Sequence, residues 1–231
     1  MTAPSKLSPA KLAATMLYLL AWPAGQLWLS GDFRWIEGWL FGAWFVCISA
    51  VCIVWLYRKD PALLAERYRM PGSGGQSRAD AVIVLALLLG FIAWMAAPAL
   101  DVRFGWTPRL PRWLEVVGGA LLIGAGFFLF RAFTDNTFLS GLVRIQTERK
   151  HQVVTTGVYG FVRHPMYLGA TLMFVGGPLL LGSIMGVLAG LALVLLLMWR
   201  IRGEEALLVR ELEGYEAYRE KVRWRLVPHV W

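Results

Sequence analysis

The chain has 231 residues, 58% of them hydrophobic and only 16% charged. Soluble domains carry about 25% charged residues, so a soluble globular protein is excluded and one membrane domain is expected. Three histidines and two cysteines are too few for a many-histidine di-iron centre or a zinc cluster, and no metal is expected.

In chain order, Leu12 to Leu29, Gly38 to Tyr57 and Ala81 to Leu100 are runs of 18 to 20 residues with no ionisable group other than Tyr and, in the second, two Cys. Each is long enough to cross a bilayer as a helix. Lys6 and Lys11 precede the first run, as they would a secretion signal. The run is long for such a signal and no small-residue cleavage site follows, so it reads as an anchoring span. The 58–80 loop opens as a short amphipathic helix with Leu63, Leu64 and Tyr68 at helical spacing, suited to the membrane surface, and ends in a flexible Gly/Ser turn. Cys47 and Cys52 read as small apolar fillers of the second run.

A fourth run, Val116 to Phe130, is bounded by Glu115 and Arg131 and can lengthen across both. Its Gly119, Gly124 and Gly126 suit close helix packing. Pro165 to Trp199 is 35 residues without a charge, long for one span and short for two. Gly176-Gly177-Pro178 and Gly182-Ser183 interrupt it, which predicts a tight helical hairpin. The fold class is therefore all-α, a polytopic membrane bundle of five to six spans. It forms a single domain, with N-terminal spans over 1–133 and a cytoplasmic region carrying the chemistry over 134–231.

The net charge of +8 could suggest nucleic acid, but its distribution excludes that partner. With six spans and both termini cytoplasmic, 19 basic residues fall on the cytoplasmic side, and Arg34, Arg103, Arg109 and Arg112 on the other. That is the positive-inside pattern of a membrane protein.

Two constellations carry chemistry. In VTTGVYGFVRHPMYLGA, Pro165 suits the first turn of a helix, with His164 near its N-cap and Arg163 just outside. The free N–H groups of that helix start and Arg163 together favour an anion, and Tyr159 and Tyr167 add flat faces. The same residues would also serve as an interfacial anchoring belt. In MWRIRGEEALL, Arg200 and Glu204 are spaced i, i+4 and can pair. An ionisable residue at a span's edge is a functional candidate, although a solvated helix end accounts for it equally. If the hairpin closes, the two constellations meet and surround one small volume with cations and carboxylates, which suits a zwitterionic ligand with an aromatic part.

The ordered pattern His151-x-x-Val154, Gly157-x-Tyr159, Arg163-His164-Pro165-x-Tyr167-x-Gly169, hairpin, Arg200 and Glu204-Glu205 resembles the isoprenylcysteine carboxyl methyltransferase family and the related membrane phospholipid methyltransferases. The resemblance covers about residues 145–228. It implies S-adenosylmethionine as methyl donor, bound by His151, Val154, Gly157, Tyr159, Arg163, His164, Pro165 and Tyr167, with Glu204 and Glu205 near its methionine portion. Arg200 and Glu204 are then the catalytic candidates, and the acceptor is lipophilic and enters from the bilayer: an isoprenylcysteine-like carboxylate, a phospholipid amine or a thiol. The tail, with Tyr215 directly after Gly214, resembles a bacterial-type subgroup, which implies a bacterial inner membrane. Two other classes stay open: a sterol-type reductase using NADPH, and a non-catalytic membrane scaffold.

Overall fold

The computed structural model describes residues 8–69 and 77–231. The Gly/Ser turn expected at the end of the 58–80 loop lies largely outside the described residues, as does Lys6.

Helix α1 (Pro9–Ser30) starts where the Ser8 side chain accepts the Lys11 N–H, and ends at Gly31 in the left-handed conformation, φ 67°. Helix α2 (Ile36–Lys59) runs back to Asp60. The Asp60 carboxylate caps the short helix α3 (Pro61–Arg67) by accepting the Leu63 N–H. Leu63 and Leu64 of α3 are buried, whereas Tyr68, one residue past its end, is exposed. Ser77 caps α4 (Arg78–Phe104) in the same way, through the Asp80 N–H. Helix α5 (Arg112–Asp135) extends past both charges that bound its apolar run. Such side-chain caps satisfy donors that the first helical turn leaves without partners.

The predicted hairpin is α6 (Pro165–Leu180) and α7 (Ile184–Glu211), joined by a turn at Leu181, Gly182 and Ser183. Gly176, Gly177 and Pro178 do not interrupt it; all three lie inside α6. At 16 residues α6 is about 24 Å long, short of the ~30 Å apolar core of a bilayer. Among the described residues five helices, α1, α2, α4, α5 and α7, are long and apolar enough to cross. Large apolar side chains such as Leu17, Leu85, Ile123 and Leu195 are exposed around the bundle, where lipid rather than water suits them. This is an integral membrane protein.

Helices pack through small residues. A Cβ built on Gly118 would lie 2.3 Å from the Leu180 nitrogen and 2.6 Å from the Gly176 oxygen, so α5 and α6 touch backbone to backbone there. The sequence points to Gly119, Gly124 and Gly126; Gly124 and Gly126 do face Leu172 and Ile48, at 3.4 and 3.5 Å from their Cβ positions, but the backbone contact falls at Gly118, and the Gly119 Cβ position meets nothing within 4 Å. Gly118→Ala should therefore cost about 1–3 kcal/mol of overpacking strain. Gly119→Ala should be neutral or stabilise by up to about 1 kcal/mol through helix propensity. Thermal unfolding of the two variants in detergent checks the contrast.

Behind this contact, Phe41, Phe91, Trp94 and Phe174 form an aromatic centre, and Trp94 donates its indole N–H to the Phe174 carbonyl at 3.0 Å. At the end of the bundle away from α3, Asp101 accepts from Thr107 Oγ1 at 2.7 Å and Ser183 Oγ at 2.6 Å. This ties the α4–α5 loop to the hairpin turn and leaves the other end of the hairpin to carry the polar site.

Candidate active site

Helix α7 continues past its apolar part and carries Arg200, Glu204 and Glu205 beyond it. The chain then turns at Gly214, φ 82°, into α8 (Tyr215–Lys221). The polar tail is thus helical in two pieces, the end of α7 and α8. Residues 222–226 return along the segment before α6: the Arg163 N–H donates to Trp224 O and the His164 N–H to Arg225 O, both at 2.9 Å. The Tyr218 hydroxyl donates to Tyr159 O at 2.8 Å.

Glu205 sits where these strands of chain meet. Its Oε1 accepts Arg163 Nε at 2.7 Å and lies 3.1 Å from His164 Nε2, and its Oε2 accepts Arg225 Nε at 2.8 Å. Arg163 Nη1 also donates to the carbonyls of Val222 and Arg223, at 2.7 and 2.8 Å. His164 is the N-cap of α6 and Pro165 its first residue, as the sequence predicts. Arg163 gives its Nε to Glu205 and its Nη1 to two tail carbonyls, so its charge helps to hold the tail down.

Beside this hub lies a narrow cleft with about 780 Å³ of space not filled by atoms, counting its open mouth. His151, Val154, Tyr159, Arg163, His164, Pro165, Tyr167 and Glu204 all line it. Gly157, Arg200 and Glu205 stand behind its walls. Gly157, φ 59°, makes room for Asp135, whose Oδ2 would lie 2.0 Å from any Cβ there; that oxygen accepts the Val158 N–H at 3.0 Å. Sequence reading missed Phe138, Tyr215 and Tyr218, which also line the cleft. The Tyr215 hydroxyl is buried and has no hydrogen-bond partner among the described residues. Burial raises its pKa and keeps it protonated, so it is a donor in want of an acceptor.

The linker wall is pinned from outside. Arg144 grips Glu66 of α3 with two hydrogen bonds of 2.8 and 3.0 Å, a bidentate, charge-assisted arrangement. Buried Gln146 donates to Phe138 O at 2.6 Å, and Phe138 faces the His151 ring with centroids 4.7 Å apart. Burial, with the Arg149 and Arg144 charges, pushes the His151 pKa down to about 4 from 6.5. His151 is therefore neutral at physiological pH. The unfolded chain takes up this proton first on acidification, so the contribution of His151 is whole above about pH 6.5 and is lost as pH falls towards about 4. The gap in unfolding midpoint between the wild type and His151→Gln should shift against the wild type across that window.

A second space, about 1600 Å³ including its open side, lies between α4 and α7. Asp80, Ile83, Trp199, Arg200 and Leu207 line it, and Glu204 lines both spaces. The predicted Arg200–Glu204 pair does not form. Arg200 Nε donates to Asp80 Oδ1 at 3.0 Å and its Nη2 to Gly141 O at 2.6 Å, with the guanidinium 6.0 Å from the Tyr167 ring centroid. Glu204 Oε2 instead accepts the Tyr167 hydroxyl at 2.7 Å. Asp80 is a further residue missed in the sequence; the signal was an acid placed at the edge of a charge-free run.

Residues 114–213 match the family described as phospholipid methyltransferase. The protein-S-isoprenylcysteine O-methyltransferase of Schizosaccharomyces pombe is 38% identical over 89 residues, 36% of this chain and 36% of that one. Over residues 114–213, under half of its length, the chain is thus similar to membrane methyltransferases of this kind. It is also similar to the Delta(14)-sterol reductase of Mus musculus, 30% identical over 163 residues, 63% of this chain and 38% of that one. The chain thus spans little more than a third of the length of either curated relative. A solved eukaryotic intramembrane Ras methyltransferase ICMT has the same fold at a TM-score of 0.54 and 19% identity, over 94% of this chain and 75% of that one. The family segment 114–213 contains α5, the linker, α6 and α7 with Arg200, Glu204 and Glu205; the tail that closes on Glu205 and the Asp80 that holds Arg200 lie outside it.

Proposed function

We propose that this chain transfers a methyl group from S-adenosylmethionine to a lipophilic acceptor held at the membrane surface, and that the cleft side and both termini face the cytoplasm. The observation that carries the reading is the position of Glu204 and its neighbours, which border both a polar cleft and a space between two spanning helices. A water-soluble donor and a lipid-soluble acceptor need such a boundary.

The cleft suits the donor's chemistry. Phe138 and neutral His151 offer flat surfaces for a heterocycle, and the Tyr215 hydroxyl is free to donate to an anionic group. When bound, S-adenosylmethionine supplies an electrophilic methyl group on a sulfonium. The residues of the chain then align and desolvate the nucleophile. Arg200, fixed by Asp80 and Gly141 against Tyr167, orients an acceptor that carries negative charge. A carboxylate acceptor is already ionised and needs no base. An amine or thiol would pass its proton to Glu204, which the Tyr167 hydroxyl holds in place.

The test is to incubate purified protein in nanodiscs with methyl-labelled donor and a membrane extract. Label should appear in the lipid fraction; no transfer and no S-adenosylhomocysteine binding by folded protein defeats the reading. The 30% identity to a sterol reductase over 63% of the chain supports a second reading, NADPH-dependent reduction. Thermal shift separates them: S-adenosylhomocysteine should raise the unfolding midpoint and NADPH should not.

A further inference from the structure

Helices α1, α2, α3 and α5 border a groove with about 1520 Å³ of unfilled space, counting its open side. Its floor is apolar: Leu19 of α1, Ile48 and Ile53 of α2, and Leu129 and Phe133 of α5. Its rim is polar and of one charge. Lys11 and Arg67 stand there, beside Thr15 and Tyr68, whose hydroxyls are hydrogen-bonded to each other. Among the described residues no Asp or Glu lines the groove.

The lack of a carboxylate at this rim sets it apart from its surroundings. Arg69 pairs with Glu66, Arg131 with Asp135 and Arg144 with Glu66, at 2.7 to 3.0 Å, and Arg149 approaches Asp60 at 3.9 Å. Arg67 and Lys11 have no acidic partner among the described residues. The Arg67 guanidinium instead lies 5.3 Å from the centroid of the Phe133 ring. Arg67 is exposed by surface area and lines the groove. The protein crowded around it removes water, and Arg200 adds repulsion, so its pKa is lowered. A bound anion relieves both costs. Along α1, Leu19 lies eight residues beyond Lys11, about 12 Å deeper by helical rise. A charged rim over an apolar trough of that depth is complementary to one kind of molecule: a headgroup with negative charge on an acyl chain.

We propose that this groove is a binding site for an anionic phospholipid of the bilayer, with its phosphate on Arg67 and Lys11 and one acyl chain along Leu19, Ile48 and Leu129. The site is separate from the cleft, and the proposal does not depend on methyl transfer.

Native mass spectrometry tests it, on the full chain released from nanodiscs of dioleoyl phosphatidylglycerol and dioleoyl phosphatidylcholine in equal parts. One phosphatidylglycerol should be retained over phosphatidylcholine by about 25-fold, at about fivefold for each cation. The double variant Lys11→Gln/Arg67→Gln should lose that preference while still retaining some lipid of either kind. Leu19→Trp, which fills the floor and leaves both cations, should lose the retained lipid altogether. Unfolding midpoints near the wild-type value confirm that each variant is folded. Equal retention of the two lipids by the wild type, an unchanged preference in the double variant, or a two-chain species that carries no lipid overturns the proposal.

Discussion

Glu205→Ala should destabilise the protein by about 3–5 kcal/mol, the usual cost of removing one partner from a buried ion pair. Glu205 is 4% exposed and receives Arg163, His164 and Arg225. Its loss leaves the buried Arg163 with only the carbonyls of Val222 and Arg223, and those lie on the tail that Glu205 helps to hold. Glu205→Gln keeps an acceptor for one of these donors and should lose less, about 1–3 kcal/mol. The measurements are the unfolding midpoint in detergent and the rate at which protease releases residues after Gly214. A Glu205→Ala midpoint matching the wild type, with an unchanged cleavage rate, would show that the hub contributes nothing to the closed site.

Arg200→Ala should act on turnover. Removing one preorganised charged donor lowers kcat by about 10²–10³-fold. Arg200 lies outside the cleft wall, so the affinity for S-adenosylhomocysteine should stay within about twofold. Arg200→Lys should recover little: an ammonium cannot reproduce the planar fork that reaches Asp80 and Gly141 O together. Titration with S-adenosylhomocysteine and single-turnover methyl transfer separate the two effects. Equal losses of binding and turnover would move Arg200 into the donor site, and unchanged turnover would remove it from the mechanism. Glu204→Gln then sorts the acceptor. Its amide oxygen can still accept from Tyr167, so a carboxylate acceptor should be methylated at nearly the wild-type rate, whereas an amine or thiol should slow by about 10²-fold or more.

The spanning helices were legible because bilayer thickness sets their length and excludes charge. Ser8, Asp60, Ser77 and Ser183 then mark the starts of α1, α3, α4 and α7 as side-chain caps. The direction of each helix face was not legible. These helices are apolar almost all round, so periodicity carries little information about what they face; that is why Gly118, rather than Gly119, makes the close contact. The same limit hides the hairpin turn, because Gly176 and Gly177 admit Leu121, Phe41 and Trp94 without breaking α6. The ordered motif carried the family resemblance and brought together most of the cleft residues. The ion pairs behind the cleft were beyond reach, since they join residues 120 apart at Arg200–Asp80 and 78 apart at Arg144–Glu66. Spacing alone favoured Arg200 with Glu204, and each turned to a different helix instead.

The tail that returns to Arg163 also gives the protein a built-in order of assembly. Residues 163 and 164 leave the ribosome well before Trp224 and Arg225, the residues whose carbonyls they bond. The bundle can insert span by span, but the cleft cannot close during synthesis. Its last wall arrives only once residues 222–231 are made, and Trp231 O, which accepts the N–H groups of Arg225 and Leu226, is among them. A chain stopped after Lys221 would still carry every spanning helix, yet Arg163 would lack the two carbonyls, of Val222 and Arg223, that it binds in the closed site, a mark by which an unfinished copy differs from a closed one.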